Sequence, residues 1–365
     1  MAAHPIEVCP AANRVTVQQR EALLADPGFG RVFIEHMVSI RYVEGRGWLP
    51  GKLEPYAPMQ ISPAASVLHY GQAIFEGFKA FRQPDGGIAT YRPDANARRF
   101  QTSARRLAMP ELPVELFVQA ADLLIAHERD WVPSGRGGSL YLRPLLIATE
   151  PALGVRPSNE YLFLLLGSPA GNYFKGGVHP VTVWICEDYV RAAPGGTGAA
   201  KTAGNYAASL PAQAQAMREG CDQVVWLDAV TRRNVEEMGG MNIFFVYADS
   251  RKTSLVTPKL TGSLLPGITR DSLLTLGREL GYAVEERTVT IDEWLTDAQS
   301  GKMTEAFACG TAAVITPIGA LKSPKGTCPI HGGETGPVSM KLREQLMDIQ
   351  YGTVVDVHGW MHRVV

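Results

Sequence analysis

No apolar run in this 365-residue chain is longer than a strand. The longest, YLFLLLG at 161–167, falls far short of the roughly 18 residues that a membrane-spanning helix needs. Short apolar runs alternate instead with stretches whose apolar residues recur at helical spacing, in both halves of the chain. That interleaving predicts an α/β (α+β) fold with no membrane partner. At this length the chain can bury the core of two domains or one large one. Lys and Arg are spread without a basic block and the net charge is −1, which argues against a nucleic-acid partner.

The first 15 residues, MAAHPIEVCPAANRV, have no apolar signal-type core and carry Glu7, so residues 1–27 read as a loosely ordered leader on a cytoplasmic protein. Five cysteines, widely separated and without a CxxC, point to neither a disulfide framework nor a metal site. Gly71 to Arg82 reads as one strand. Pro93 to Met109 and Pro113 to Asp130 read as helices, and strands are expected near 140–148 and 161–166. Turn residues crowd GSPAGNYFKGGVHP at 167–180, so a boundary is placed there. This gives a small domain over 28–170, a connecting loop over 171–181 and a large domain over 182–365. In the latter, VTVWIC at 181–186 is a strand, Asn205 to Glu219 a helix stopped by Gly220, and 269–280 a helix closed by Gly281.

GGTGAAKTAGNYAAS at 195–209 carries one charge, Lys201, among the smallest residues. One reading is a phosphate loop, but the residue before the lysine is Ala200 rather than glycine, and nine residues separate the loop from the preceding strand. A second is a lysine that attacks carbonyl groups. Such an amine must be neutral, and a setting without acids between Asp188 and Glu219 favours that, while small neighbours leave room for a flat ring. A third is an ordinary surface lysine. Other segments bear on the choice. LLPGITRDS at 264–272 opens a helix whose free amides suit an anion. CGTAAVITP at 309–317 is a tight turn, and NVEEMGGMN at 234–242 sets two acids beside a Gly-Gly pair.

Taken together, LHYGQAIFEGFKAF (68–81), RPDANARRF (92–100), SLYLRPLLIATEPALGV (139–155), KTAGNY (201–206), VEEMGGMN (235–242), LPGITRDSL (265–273), GTAA (310–313) and DIQYG (348–352) resemble the branched-chain amino acid aminotransferases of bacterial type. These are two-domain, fold type IV enzymes that hold pyridoxal 5′-phosphate in the interdomain cleft. The resemblance implies that Lys201 forms the internal aldimine and then acts as general base and acid. It implies that Arg99, Ile268, Thr269 and Thr311 grip the phosphate, that Glu237 faces the pyridine nitrogen and that Tyr206 faces the phenolic oxygen. Phe29, Tyr70, Phe75, Tyr141 and Tyr173 would line the side-chain pocket. Arg143 would receive the distal carboxylate of glutamate or 2-oxoglutarate, and Thr311 and Ala312 the α-carboxylate.

The implied reaction exchanges the amino group of leucine, isoleucine or valine with 2-oxoglutarate, giving branched-chain 2-oxo acids and glutamate, in a homodimer without metal. Two departures stand out. Some relatives carry a redox-sensitive CxxC where this chain has Ala313 and Thr316, so no such switch is expected; and Gly240 stands where some carry threonine. D-amino acid transaminases and aminodeoxychorismate lyases share the lysine but lack the LHY…FEG and YLRP set together. A binding protein without activity would not need Lys201, Arg99, Glu237 and Tyr206 at once.

Overall fold

Pro144 sits in the middle of the strand Ser139–Ala148, where it has no N–H to give to a neighbour. The chain that runs alongside breaks there. Ala73–Phe75 pairs with one end of this strand and Phe78–Arg82 with the other, and between them the Glu76 N–H turns to the Pro144 carbonyl, 2.9 Å. The stretch 71–82, expected as one strand, is therefore two. The computed structural model describes residues 4–171, 177–248 and 252–365. Its contacts divide the chain into two compact units that are not one cut along the sequence: 1–173, 200–203 and 349–365 form the first, 174–199 and 204–348 the second.

The first unit holds a ten-stranded sheet among the described residues. Its order is Ile6–Val8, Gly51–Pro55, His36–Val43, Glu160–Ala170, Ser139–Ala148, Phe78–Arg82, Ile88–Tyr91 and Met361–Arg363, with Gly47–Trp48 and Ala73–Phe75 off this path. Every pairing is antiparallel except that of Ile6–Val8 with Gly51–Pro55. Helices Pro93–Arg106 and Val114–His127 cover it, and Phe100, Phe117 and Phe163 meet in its core. Both helices are shorter than expected. The first ends where Ala108 takes a left-handed conformation, and the second gives way to a 3-10 turn at Arg129–Trp131.

The second unit holds a nine-stranded sheet among the described residues. Six strands, Val235–Met238, Gln223–Leu227, Val181–Cys186, Val314–Ser323, Glu305–Gly310 and Met241–Ala248, follow in order, and the last pairs back to the first, so the sheet closes on itself. Closure removes two free edges. The expected helix 205–219 is two helices, Ala203–Ala207 and Leu210–Arg218, with Pro211 opening the second. Trp294 from helix Ile291–Gln299 packs edge-on against Phe245 in the core.

Among the described residues the N-terminal segment carries regular structure where a loosely ordered leader is expected. Thr16 and Gln19 form a reciprocal capping pair that starts helix Val17–Ala25, and the strand Ile6–Val8 joins the sheet. Among the described residues no helix is long and apolar enough to cross a membrane.

Candidate active site

In the first unit Lys201 lies in a short loop laced to the strand Ala73–Phe75. The Lys201 N–H donates to Ser103 Oγ (2.9 Å), its carbonyl accepts from the Phe75 N–H (3.0 Å), and the Thr202 hydroxyl donates to the Ala73 carbonyl (2.8 Å). Three anchors on two residues fix the backbone and leave the side chain to extend. Its Nζ stands 5.0 Å from the centroid of the Phe75 ring, and the Arg143 guanidinium stands 4.9 Å from the same ring. Arg143 also donates to the Tyr141 hydroxyl (3.2 Å), and Phe29 meets the Tyr141 ring edge-on at 4.9 Å. Phe29, Phe75, Tyr141, Arg143 and Lys201 thus form one group.

Gly77 is what lets Tyr141 into that group: a β-carbon there would lie 1.9 Å from the Tyr141 hydroxyl oxygen. Tyr70 does not join the group by any contact described; it ends helix Ser66–Tyr70, exposed, with its hydroxyl donating to the Leu153 carbonyl. Tyr173 lies outside the described residues. Arg99, on helix Pro93–Arg106, is held in a two-pronged pair with Glu76, Nε to Oε1 at 2.7 Å and Nη2 to Oε2 at 2.8 Å. Glu76 is fully buried and was not singled out from the sequence. A lone acid in the apolar run AIFEGF was the available signal.

In the second unit the two acids of VEEM sit on the strand Val235–Met238 and both are buried. Glu237 accepts from the Leu265 N–H (2.7 Å), and its other oxygen lies 3.1 Å from Arg191 Nε. Asn242, opposite Glu237 in the hairpin, donates to the Leu265 carbonyl (3.0 Å). Gly267, two residues on, caps helix Ile268–Glu279, and a β-carbon there would fall 2.0 Å from Asn242 Oδ1. No side chain caps that helix, so the amides of Ile268 and Thr269 open its first turn without a capping oxygen. Glu236 points the other way, bonded to the Ser263 hydroxyl, and burial pushes its carboxyl up.

Thr311 and Ala312 occupy the turn between Glu305–Gly310 and Val314–Ser323, and Val314 takes a left-handed φ of 64° to close it. Tyr206 lies against Gly240, where a β-carbon would come within 3.2 Å of its ring. Gly240 is therefore a close-approach position as well as the loss of a hydroxyl. Cys186, Cys221, Cys309 and Cys328 are buried and free, Cys9 is free and partly buried, and burial drives the Cys309 thiol far up, so that sulfur stays protonated.

A family pattern for amino-transferase class IV matches residues 73–321, more than half of the chain. This chain belongs to the class IV aminotransferases. A protein of Mycolicibacterium smegmatis named branched-chain-amino-acid aminotransferase is 59% identical over 363 residues, 99% of each chain. A protein of Streptomyces coelicolor named probable branched-chain-amino-acid aminotransferase is 59% identical over 98% of each. Among solved structures, the branched-chain amino acid aminotransferase of Escherichia coli shares 26% identity with a TM-score of 0.74, covering 89% of this chain and 99% of that one. That of T.th., complexed with N-(5′-phosphopyridoxyl)-L-glutamate, shares 27% with a TM-score of 0.72 over 89% and 98%. The fold is accordingly fold type IV, as the motifs predict.

Proposed function

We propose that this chain transfers the amino group between leucine, isoleucine or valine and 2-oxoglutarate, with pyridoxal 5′-phosphate carried on Lys201. The single observation that carries the reading is the likeness, at 59% over essentially the whole chain, to a protein named for that activity. The donor set fits the cofactor. A planar phosphorylated ring with a basic nitrogen asks for an amine, an anion-binding amide pair and a buried carboxylate, and Lys201, the uncapped helix start at Ile268–Thr269 and Glu237 are those groups.

When bound, the cofactor supplies the electron sink that makes the substrate's α-proton removable. Lys201 Nζ would take that proton from the α-carbon and hand it to the cofactor's C4′ carbon, so that the amino group is left on the cofactor. Its backbone is laced at three points, so only the side chain needs to move. Glu237 holds a proton at the ring nitrogen, and Tyr206 donates to the phenolic oxygen. Arg99 and the amides of Ile268 and Thr269 bind the phosphate together with Thr311. Because Arg99 is already neutralised by Glu76, its contribution is the fixed direction of its N–H groups more than net charge.

The aromatic group of Phe29, Phe75 and Tyr141, with Tyr70 and Tyr173, takes the aliphatic side chain, whose burial contributes about 1.5–3 kcal/mol. Arg143, fixed beside Tyr141, takes the distal carboxylate of glutamate, and Thr311 with Ala312 the α-carboxylate. The homodimeric state and the cytoplasmic location belong to the same proposal and rest on the motifs. The test is glutamate formation from leucine and 2-oxoglutarate, together with the visible absorbance of the holoprotein. Wild type should form glutamate and lose its absorbance band on addition of leucine. Lys201→Ala should do neither. A wild-type protein that stays colourless with added pyridoxal 5′-phosphate would overturn the reading.

A further inference from the structure

Arg191 lies ahead of the lysine loop, outside every motif singled out in the sequence, and it is buried. Its guanidinium cannot swing. Nη2 donates to the carbonyls of Ser263 and of Gly198 (3.4 Å), two backbone groups pressed so closely that a β-carbon on Gly198 would lie 2.1 Å from the Ser263 oxygen. Anchored there, Nε faces Glu237 Oε2 at 3.1 Å. The contact is an ion pair, and Glu237 accepts a hydrogen bond at Oε1 from the Leu265 N–H. The same strand carries Glu236, also buried, whose partner is the hydroxyl of that same Ser263. One cation therefore stands among two buried acids and is placed on one of them.

We propose that Arg191 is a positioning residue that keeps Glu237 ionised and aimed, and through it keeps the cofactor's ring nitrogen protonated. A carboxyl with 2% exposure loses its charge readily unless an opposite charge stands within about 4–6 Å. A neutral Glu237 could not hold a proton on a ring nitrogen. The other groups that face Glu237 do not replace Arg191: Glu236 would repel a second negative charge, the Cys309 thiol is neutral, and Arg270 is paired with Glu286 at 2.7 Å. The contrast between the neighbouring acids follows from their partners. Glu237 has a guanidinium and an amide, Glu236 a hydroxyl.

The role at the ring nitrogen rests on the proposed function, but the effect on Glu237 does not, so the experiment has two parts. In the protein without cofactor, the carbon-13 carboxyl resonance of Glu237, assigned by its loss in Glu237→Gln, should remain that of a carboxylate from pH 8 down to about pH 5. A resonance that moves to the protonated position near neutrality overturns the proposal whatever the enzyme catalyses. In the holoprotein, Arg191→Gln should displace the pH midpoint of the cofactor's visible band by about 1–3 pH units, whereas Arg191→Lys, which keeps the charge, should displace it far less. Adding Arg191→Gln to Glu237→Gln should displace it no further. A wild-type midpoint in Arg191→Gln, or an equal further shift in the double variant, overturns the proposal. If Arg191→Gln does not fold, the wild-type carboxyl titration decides. A wild type that binds no pyridoxal 5′-phosphate defeats the function and leaves the carboxyl titration to decide this inference.

Discussion

Each unit buries acids around an arginine, and the two clusters are put to opposite ends. In the first unit Glu128, Glu35, His36, His127 and Arg14 close on one another. Arg14 donates to both Glu128 oxygens and to Glu35, His36 Nδ1 donates to Glu128, Trp131 donates to Glu35, and the N–H groups of Val15 and Ala11 finish the set at Glu35 and His36 Nε2. Most of these bonds are donated from residues 11–15, so the cluster is a clasp that holds the N-terminal segment. In the second unit Arg191 and Glu237 are held by loop backbone at 198, 263 and 265 and Glu236 by the Ser263 hydroxyl instead, and the acid that receives the cation accepts from the Leu265 N–H, three residues ahead of helix Ile268–Glu279. A buried charge satisfied on all sides by its own chain serves stability. One that stands just ahead of an uncapped helix start is where the proposed function puts a ligand.

The largest expected difference between the clusters is in turnover. On the proposed function, Glu237→Gln removes a charge that acts in the reaction and should lower kcat by roughly 10²–10³-fold. Glu128→Gln should leave kcat within about twofold and move the unfolding midpoint instead. Steady-state rates with leucine and 2-oxoglutarate, read beside thermal melts of the same preparations, separate the two. Loss of turnover in Glu128→Gln, or none in Glu237→Gln, would erase the distinction.

The contrast was only half legible in the sequence. Lys201 stood out because small residues surround it, and the Pro266–Gly267 helix start and the hairpin turn at 310–313 follow from local chemistry. What escaped depends on pairs far apart in the chain. The break at Glu76–Gly77 is made by Pro144 opposite it and by Arg99, 23 residues on. The clasp needs Arg14 and Glu128, 114 residues apart, so the N-terminal segment read as loose when taken alone. Arg191 reaches Ser263 across 72 residues. The acids of VEEM look like a solvated pair locally, and only the closed sheet buries both.

A second, smaller effect distinguishes the clusters by pH. Burial pushes Glu128 up to about 7, against the pull of Arg14, while burial and then Arg14 push His36 down. The folded protein therefore holds a proton on Glu128 that the unfolded chain, with a carboxyl near 4.3, has given up. This contribution makes stability fall as pH rises from about 4.5 to about 7. His36 acts in the opposite sense: the unfolded chain binds its proton first, so its contribution is lost as pH falls below about 6.5. Glu128→Gln leaves the limbs of His36 and His127, which burial pushes down alike. Its stability relative to wild type should improve from pH 5 to pH 7.5 by on the order of 1 kcal/mol, read from urea midpoints at the two pH values. A parallel profile would show that Glu128 does not titrate in this range.

The smallest expected effect is a response to metal. His36, His127 and Glu128 bring three ligand atoms within 4.8 Å of one another, the spacing of a cation site. The second ring nitrogen of His36 argues otherwise. Nε2 accepts from the Ala11 N–H at 3.0 Å, so the ring proton is on Nδ1, the nitrogen that faces Glu128 and would have to bind the metal. Moving that proton to Nε2 would set two donors against each other, and Arg14 beside Glu128 repels a cation in any case. Zinc at a modest excess should therefore leave the melting temperature of the wild type unchanged. In Arg14→Gln with Ala11→Pro, which removes both obstacles, zinc should raise it by mass action. Zinc stabilisation of the wild type would mean that the clasp is a metal centre after all, and the comparison with Arg191 would lose its structural half.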